Sequence, residues 1–383
     1  MNHFYDDFRD LFKAPRAAIG PQRIFIATLG IIVVHVVYLI FSYVALSVSG
    51  TGSFPFSVWQ RYGLFVYRLP MDMPFYSHIV FWIGVAFTIF ILLIVNTAIS
   101  RAAYMHLRNN LSYTYQQAFR FARGRWLSIA GVLLTFLFLI VPFIIGALVM
   151  ALIGKIPWFG DILNSLATLP YIFAGMVLVF FTLSFIIALF YSPVIIAATE
   201  EDSFGTAVEV MQMTWLQPAR LMVYGLISLV LVVFALFFFL GILKVGLIIY
   251  SNLFMPLMHS LAPILDNALY YVQSAMGDLD TLVKELLGPS GSKMFYLKKM
   301  YQSISLSASA QVSSVLVFIF LMLAGYMSLG YTLAVANNCL LLSHNIIYKK
   351  IKGSRTLQRN DSEVTTEEEE IKINPESDDI KKL

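Results

Sequence analysis

Histidines, a run of carboxylates and a basic loop are the side chains in this 383-residue chain whose types could do chemistry. The histidines (His3, His35, His78, His106, His259 and His344) stand singly, without the spacing of metal ligands. Glu200, Glu201 and Asp202 are consecutive. Three adjacent carboxylates cannot share one helical face, so they form no preorganised metal cage. They read as a solvated turn capping the next helix, with Asp202 or Ser203 as N-cap. The phosphate-loop pattern G-x-x-x-x-G-K-[ST], G-x-G-x-x-G, H-E-x-x-H and G-x-S-x-G are all missing. The one cysteine, Cys339, rules out an internal disulfide and a cysteine-based metal centre. No catalytic residue and no cofactor are expected. The candidate ligand-binding groups are Asn252, His259 and Asp266, in and beside an interrupted apolar run.

Any such group has to be positioned by a membrane bundle. The chain is 59% hydrophobic and 13% charged, whereas soluble domains carry roughly 25% charged residues. Apolar runs at 24–48, Tyr76–Ser100, Leu127–Ile153, Pro170–Ser192, Ala219–Leu243 (with Arg220 at its start) and Gln311–Ala336 are each long enough to cross about 30 Å of hydrocarbon. A further run, Val245–Leu265, is interrupted by Asn252, Pro256, His259 and Pro263 and could be a seventh span or a re-entrant segment. The fold class expected is all-α, a polytopic transmembrane helical bundle of about six spans with amphipathic interfacial helices. Residues 1–23 form a cytoplasmic amphipathic segment, 24–348 the transmembrane domain, and 349–383 a charged, disordered cytoplasmic tail. Within the domain, 245–310 is an extracytoplasmic or re-entrant segment with a helix over 265–287.

Orientation follows from the arginines. Arg101, Arg108, Arg120, Arg123 and Arg125 occupy one loop without an acid, and such loops stay cytoplasmic. Six spans keep this loop, Arg220 and the cluster Lys349–Arg359 on one side, whereas seven would export that cluster. The same five arginines are candidate lipid-headgroup contacts, on an amphipathic helix carrying Tyr115, Phe119 and Trp126. Fixing topology alone is the competing reading.

Leu265, Leu269, Val272, Met276, Leu279, Val283 and Leu286 are spaced as a heptad seam, closed by Gly288-Pro289. That seam either joins a second copy or a partner protein, or covers the bundle's own outer surface. Near the N-terminus, Phe4, Phe8, Leu11 and Phe12 share one helical face opposite Asp6, Asp7, Arg9, Asp10 and Lys13. It lies on the membrane or on the bundle. His35, near the centre of the first run, reads as a neutral imidazole bonded to a neighbouring helix.

The stretch Pro193-Val-Ile-Ile-Ala-Ala-Thr-Glu200-Glu-Asp-Ser203, with Ala207 and Arg220, resembles the inner-loop signature of bacterial multi-span proteins of the glycerophosphodiester phosphodiesterase membrane-domain type. The resemblance covers about residues 75–245 and implies a helical bundle, with no catalytic residue carried over. It departs from this chain at the long outer segment and the acidic tail. Together these features favour a non-enzymatic protein that scaffolds or regulates partners or lipids in the cytoplasmic membrane, with no nucleic-acid partner. The alternatives are a permease with its site near 252–266 and a lipid-modifying enzyme using His259 and Asp266. Assigned spans without Asp, Glu, Lys or Arg in their interiors weigh against ion-coupled transport.

Overall fold

A computed structural model describes residues 5–48, 59, 62–66, 69, 73–110, 112–277 and 303–353. These residues are all-α, without a strand, and six of the helices are long and apolar enough to cross a membrane. The chain is a multi-pass membrane protein. A 3₁₀ turn (Phe8–Lys13) and α1 (Ala14–Ala18) lead into the first long helix, α2 (Pro21–Val48). Then come α3 (Phe75–Leu107), the short α4 (Tyr115–Gly124), α5 (Trp126–Ile153), the short α6 (Phe159–Leu166) and α7 (Thr168–Thr199). After α8 (Ser203–Leu216) follow α9 (Pro218–Phe254), α10 (Leu261–Met276) and α11 (Ala308–Lys352).

Glycines set the closest helix approaches. Gly30 of α2 faces Val95 of α3, Gly84 of α3 faces Phe41 of α2, and Gly330 of α11 lies on Thr28. At Gly330 a Cβ would stand 2.8 Å from the Thr28 backbone nitrogen, so the two helices meet backbone to backbone. The largest apolar core lies toward one end of the bundle. It joins Ile26 and Ala27, Ile99, Ile129 and Phe136, Ile195 and Ile196, Val210 and Met213, Tyr224 and Leu231, and Ala334 and Leu342. Gly146 of α5 and Gly175 of α7 have open space where a side chain would begin.

Several helices run past the ends expected from hydropathy. The fourth long helix continues through Pro193 to Thr199 because Val194, Ile195, Ile196 and Ala197 are all buried in packed protein. The second continues to Leu107 and the sixth to Lys352 for the same reason: Arg101–Tyr104 and Leu341–Ile347 are buried. Lys244 is no boundary either, since α9 passes through it to Phe254. The interrupted run Val245–Leu265 is therefore the end of α9, a turn, and the first residues of α10, which starts at Leu261 rather than at 265. Between α5 and α7 the chain forms the short helix α6, which begins at Phe159 directly after Pro157 and Trp158.

The N-terminal segment packs on the bundle. Leu11 and Asp10 are fully buried, while Phe8 and Phe12 remain exposed. Asp10 thus leaves the polar face assigned to it, because its carboxylate accepts from the Tyr5 and Asp6 amides and pairs with Lys13 at 2.7 Å. Lys349 closes the segment against α11 by pairing with Asp6.

At the opposite end, backbone from 62–66 enters the bundle. His35 bonds the Leu64 carbonyl at 2.8 Å through Nε2 and the Tyr326 hydroxyl at 2.6 Å through Nδ1. The Tyr38 and Tyr43 hydroxyls donate to the Val66 and Gly63 carbonyls. Irregular backbone is tolerated at such depth only where protein satisfies its polar groups, and α2 supplies those bonds. Gly63, at φ +56°, and Gly277, at φ +44°, allow this segment to touch the end of α10, where the Leu64 amide donates to the Ala275 carbonyl at 2.7 Å.

Candidate functional site

The charged residues of the described chain gather at one end. Lys155, Asp161, Lys244 and Asp266 are the exceptions. Three helix ends build the centre of this charged face. The continuation of α3 carries Arg101, the junction of α4 and α5 carries Arg125, and the last residue before the α7–α8 turn is Glu200. Arg101 reaches Glu200 Oε1 at 2.6 Å and donates to the Ala197 carbonyl at 2.9 Å. Arg125 donates to the Glu200 carbonyl at 3.0 Å and stands 3.4 Å from Oε2.

The local sequence explains why a glutamate sits there. Glu200 caps α7 in the left-handed region, φ 58° and ψ 20°, where glycine is the usual residue. A non-glycine residue held in that region costs on the order of 1 kcal/mol, and the two ion pairs offset it. Asp202 then starts α8 by accepting from the Gly205 amide at 2.8 Å, as its sequence position predicts. Thr114 and Gln117 close a capping box around the start of α4.

Arg101 is 6% exposed and lies 4.3 Å from the centre of the Phe121 ring, so α4 is clamped over the pair. The Tyr113 side chain also bonds Arg101; burial raises its phenol above the ordinary range, and the Arg101 charge partly reverses that.

A second contact between ionisable groups lies deeper. His344 Nε2 stands 2.6 Å from Glu209 Oε1, with both residues buried, and Lys352 approaches Glu209 Oε2 at 3.9 Å. Beside it on α11, Asn337 bonds Asn96 at 3.1 Å and receives the Ser100 hydroxyl at 3.0 Å, and Tyr191 meets Ser343 at 2.9 Å. These bonds tie α3, α7 and α8 to α11. A carboxylate–imidazole pair can exchange a proton; in this one His344 is fully buried and Glu209 nearly so, with the exposed Lys352 at its edge. Among the described residues no cluster of three or more metal-ligating groups occurs.

The basic-loop arginines divide. Arg101 and Arg125 turn inward, Arg108 stacks half-buried on Tyr104, and Arg120 and Arg123 are exposed on α4. The carboxylate turn is accordingly not wholly solvated: Glu200 belongs to the ion cluster. Asn252 and His259 are exposed, at the end of α9 and in the turn after it, and Asp266 is half-buried on α10. Leu265 and Leu269 are buried against Leu247 of α9, Met255 just beyond it, and Val317 and Leu321 of α11. Val272 and Met276 are half-buried, and Leu279, Val283 and Leu286 lie outside the described residues, as does the tail beyond 353. Cys339 is fully buried and packed.

Glu209 and His344 were not singled out by sequence reasoning. A signal existed for Glu209, which falls on the same arc of α8 as the buried Thr206, Val210 and Met213. His344 stood alone in the chain, and only the fold brings it to its partner 135 positions away.

No protein-family model, no curated protein and no solved structure matches this chain.

Proposed function

We propose that this chain is a non-enzymatic protein of the cytoplasmic membrane, its charged end facing the cytoplasm as a rigid platform for anionic lipid headgroups or a partner protein. The observation that carries this reading is the division among the loop arginines. Arg101 and Arg125 lock two loops together through Glu200, while Arg120 and Arg123 stay exposed on α4 with Tyr115 and Trp126 beside them. Cations so placed near an anionic leaflet are worth about 1 kcal/mol each, and aromatic side chains favour the same interface. The basic bias of this end supports the cytoplasmic orientation, and the resemblance of Pro193–Arg220 to bacterial multi-span proteins supports a bacterial membrane. The ionisable pairs that the bundle buries join helix to helix, which supports a structural rather than a catalytic use.

Two measurements test the reading. In a Cys339→Ser background, a single cysteine at position 120 should react with an impermeant maleimide only after cells are permeabilised; labelling of intact cells overturns the orientation. In nanodiscs, Arg120→Gln with Arg123→Gln should lower enrichment of anionic lipid around the protein. Unchanged enrichment overturns the lipid arm.

A further inference from the structure

A cavity of about 500 Å³ separates α5 from α7. Pro142, Gly146 and Met150 line it from α5, and Pro170, Gly175 and Leu178 from α7. Side chains between packed helices normally fill such space almost completely. Here Gly146 and Gly175 supply none, and a Cβ built on either meets no atom within 4 Å. The lining side chains are apolar except for Tyr171. At the end nearer the charged face, Phe143 and Phe181 meet edge to face with ring centroids 6.0 Å apart. At the other end, the Tyr171 hydroxyl donates to Asn164 Oδ1 at 2.5 Å.

Helix length places the cavity in the bilayer. The 28 residues of α5 extend about 42 Å from the charged end. Pro142 stands about 24 Å along that axis and Met150 about 36 Å, so the cavity occupies the half of the membrane away from the charged face. It is about 12 Å long, close to one leaflet's share of a hydrocarbon layer about 30 Å thick. Beside it Ile145, Leu148, Phe173 and Met176 are each more than half exposed, so its rim faces lipid.

These dimensions select an occupant. Water needs about two to four polar partners, and the lining offers one polar side chain. An empty space of this size would forfeit dispersion contacts along both walls. About 500 Å³ spread over about 12 Å gives a mean cross-section of about 40 Å², roughly half that of an α-helix about 10–12 Å across. A whole helix is therefore too broad, whereas a single hydrocarbon chain can enter from the side and touch both walls. We propose that this slot holds one acyl chain of a phospholipid from the leaflet away from the charged face, with its ester region level with Tyr171 and Asn164. The site uses other helices and the other leaflet from the exposed arginines of α4, so it stands or falls separately from the platform reading.

The experiment uses the full chain in phosphatidylcholine nanodiscs doped with a phosphatidylcholine that carries a diazirine near the end of one acyl chain. The protein is released into detergent, washed to strip loosely held lipid, photolysed and mapped by peptide mass spectrometry. Label should remain on Pro142–Met150 and Pro170–Leu178 and be lost from the lipid-facing α9. Gly146→Leu with Gly175→Leu fills the slot without meeting other atoms, so it should melt no lower than the wild type and lose this label. Gly225→Leu with Gly241→Leu, which also meets open space but on α9, should keep it. Label that washes away from the wild type overturns the site without any substitution being needed. Equal label on the slot-filling variant overturns it too, as does retention of a diazirine fatty acid where the phospholipid is not retained. A wild-type dimer that the slot-filling variant loses would make the slot a contact between copies and overturn the lipid assignment.

Discussion

Replacing Glu200 by Gln is the perturbation that bears most directly on the charged face. The carboxylate receives Arg101 at 2.6 Å and lies 3.4 Å from Arg125, and its loss leaves the Arg101 side chain, 7% exposed, facing a neutral amide. Breaking a fully buried pair from one side costs about 3–5 kcal/mol. The Glu200 side chain is 36% exposed, and Arg101 keeps the Ala197 carbonyl and the Phe121 ring, so the expected loss is about 2 kcal/mol. At roughly 2 °C per kcal/mol for a chain of this size, the melting temperature should fall by about 4 °C. Nanodisc-embedded protein followed by scanning fluorimetry would read it, with Glu201→Gln as a control expected within about 0.5 kcal/mol of wild type. The double variant Arg101→Gln with Glu200→Gln should recover part of the loss, since neither charge is left alone. A Glu200→Gln protein as stable as the wild type, with no coupling in the double variant, would refute the reasoning.

Other consequences can be measured alongside. His344→Ala should take the hydrogen-bond partner from buried Glu209 Oε1 and cost about 1–3 kcal/mol, read as loss of folded yield after purification. Gly330→Ala should cost about 1–3 kcal/mol by forcing α11 from Thr28, whereas Gly175→Ala, which meets open space, should be neutral or slightly stabilising in the same melts. Tyr326→Phe removes the hydroxyl that bonds His35 and should cost about 1 kcal/mol. It should also quicken hydrogen exchange at Leu64, whose carbonyl His35 holds. Cys339 should stay unlabelled by maleimide until the protein is denatured, because its thiol is fully enclosed.

Hydropathy made the six spans and their order legible, because each long helix keeps a lipid-facing surface that must be apolar. It misplaced the ends of α3, α7 and α11 for a reason intrinsic to the method. Beyond the bilayer these helices are covered by other helices, and Pro193 or Asn345 at such positions signals polarity without signalling a stop. The seam at Leu265 and Leu269 was readable as a stripe, but the partner of a stripe is set by tertiary placement, here α9 and α11. For the charged face, the arginines of 101–125 and the acids of 200–202 were both conspicuous. What could not be read was that Arg101 and Glu200, nearly one hundred positions apart, meet across the ends of two helices. His344 and Glu209 show the same limit, since a lone histidine and a lone glutamate each look unremarkable until the fold joins them.

The central claim is that the exposed arginines of α4 make the charged face a platform for anionic lipid or a partner. Native mass spectrometry of protein released gently from its own membranes tests it most directly, comparing wild type with Arg120→Gln, Arg123→Gln. The wild type should carry bound anionic lipid or a second protein, and the double variant should lose it while keeping the same melting temperature. An identical set of adducts on both proteins would contradict the claim, as would a monomer holding one stoichiometric small molecule and nothing else.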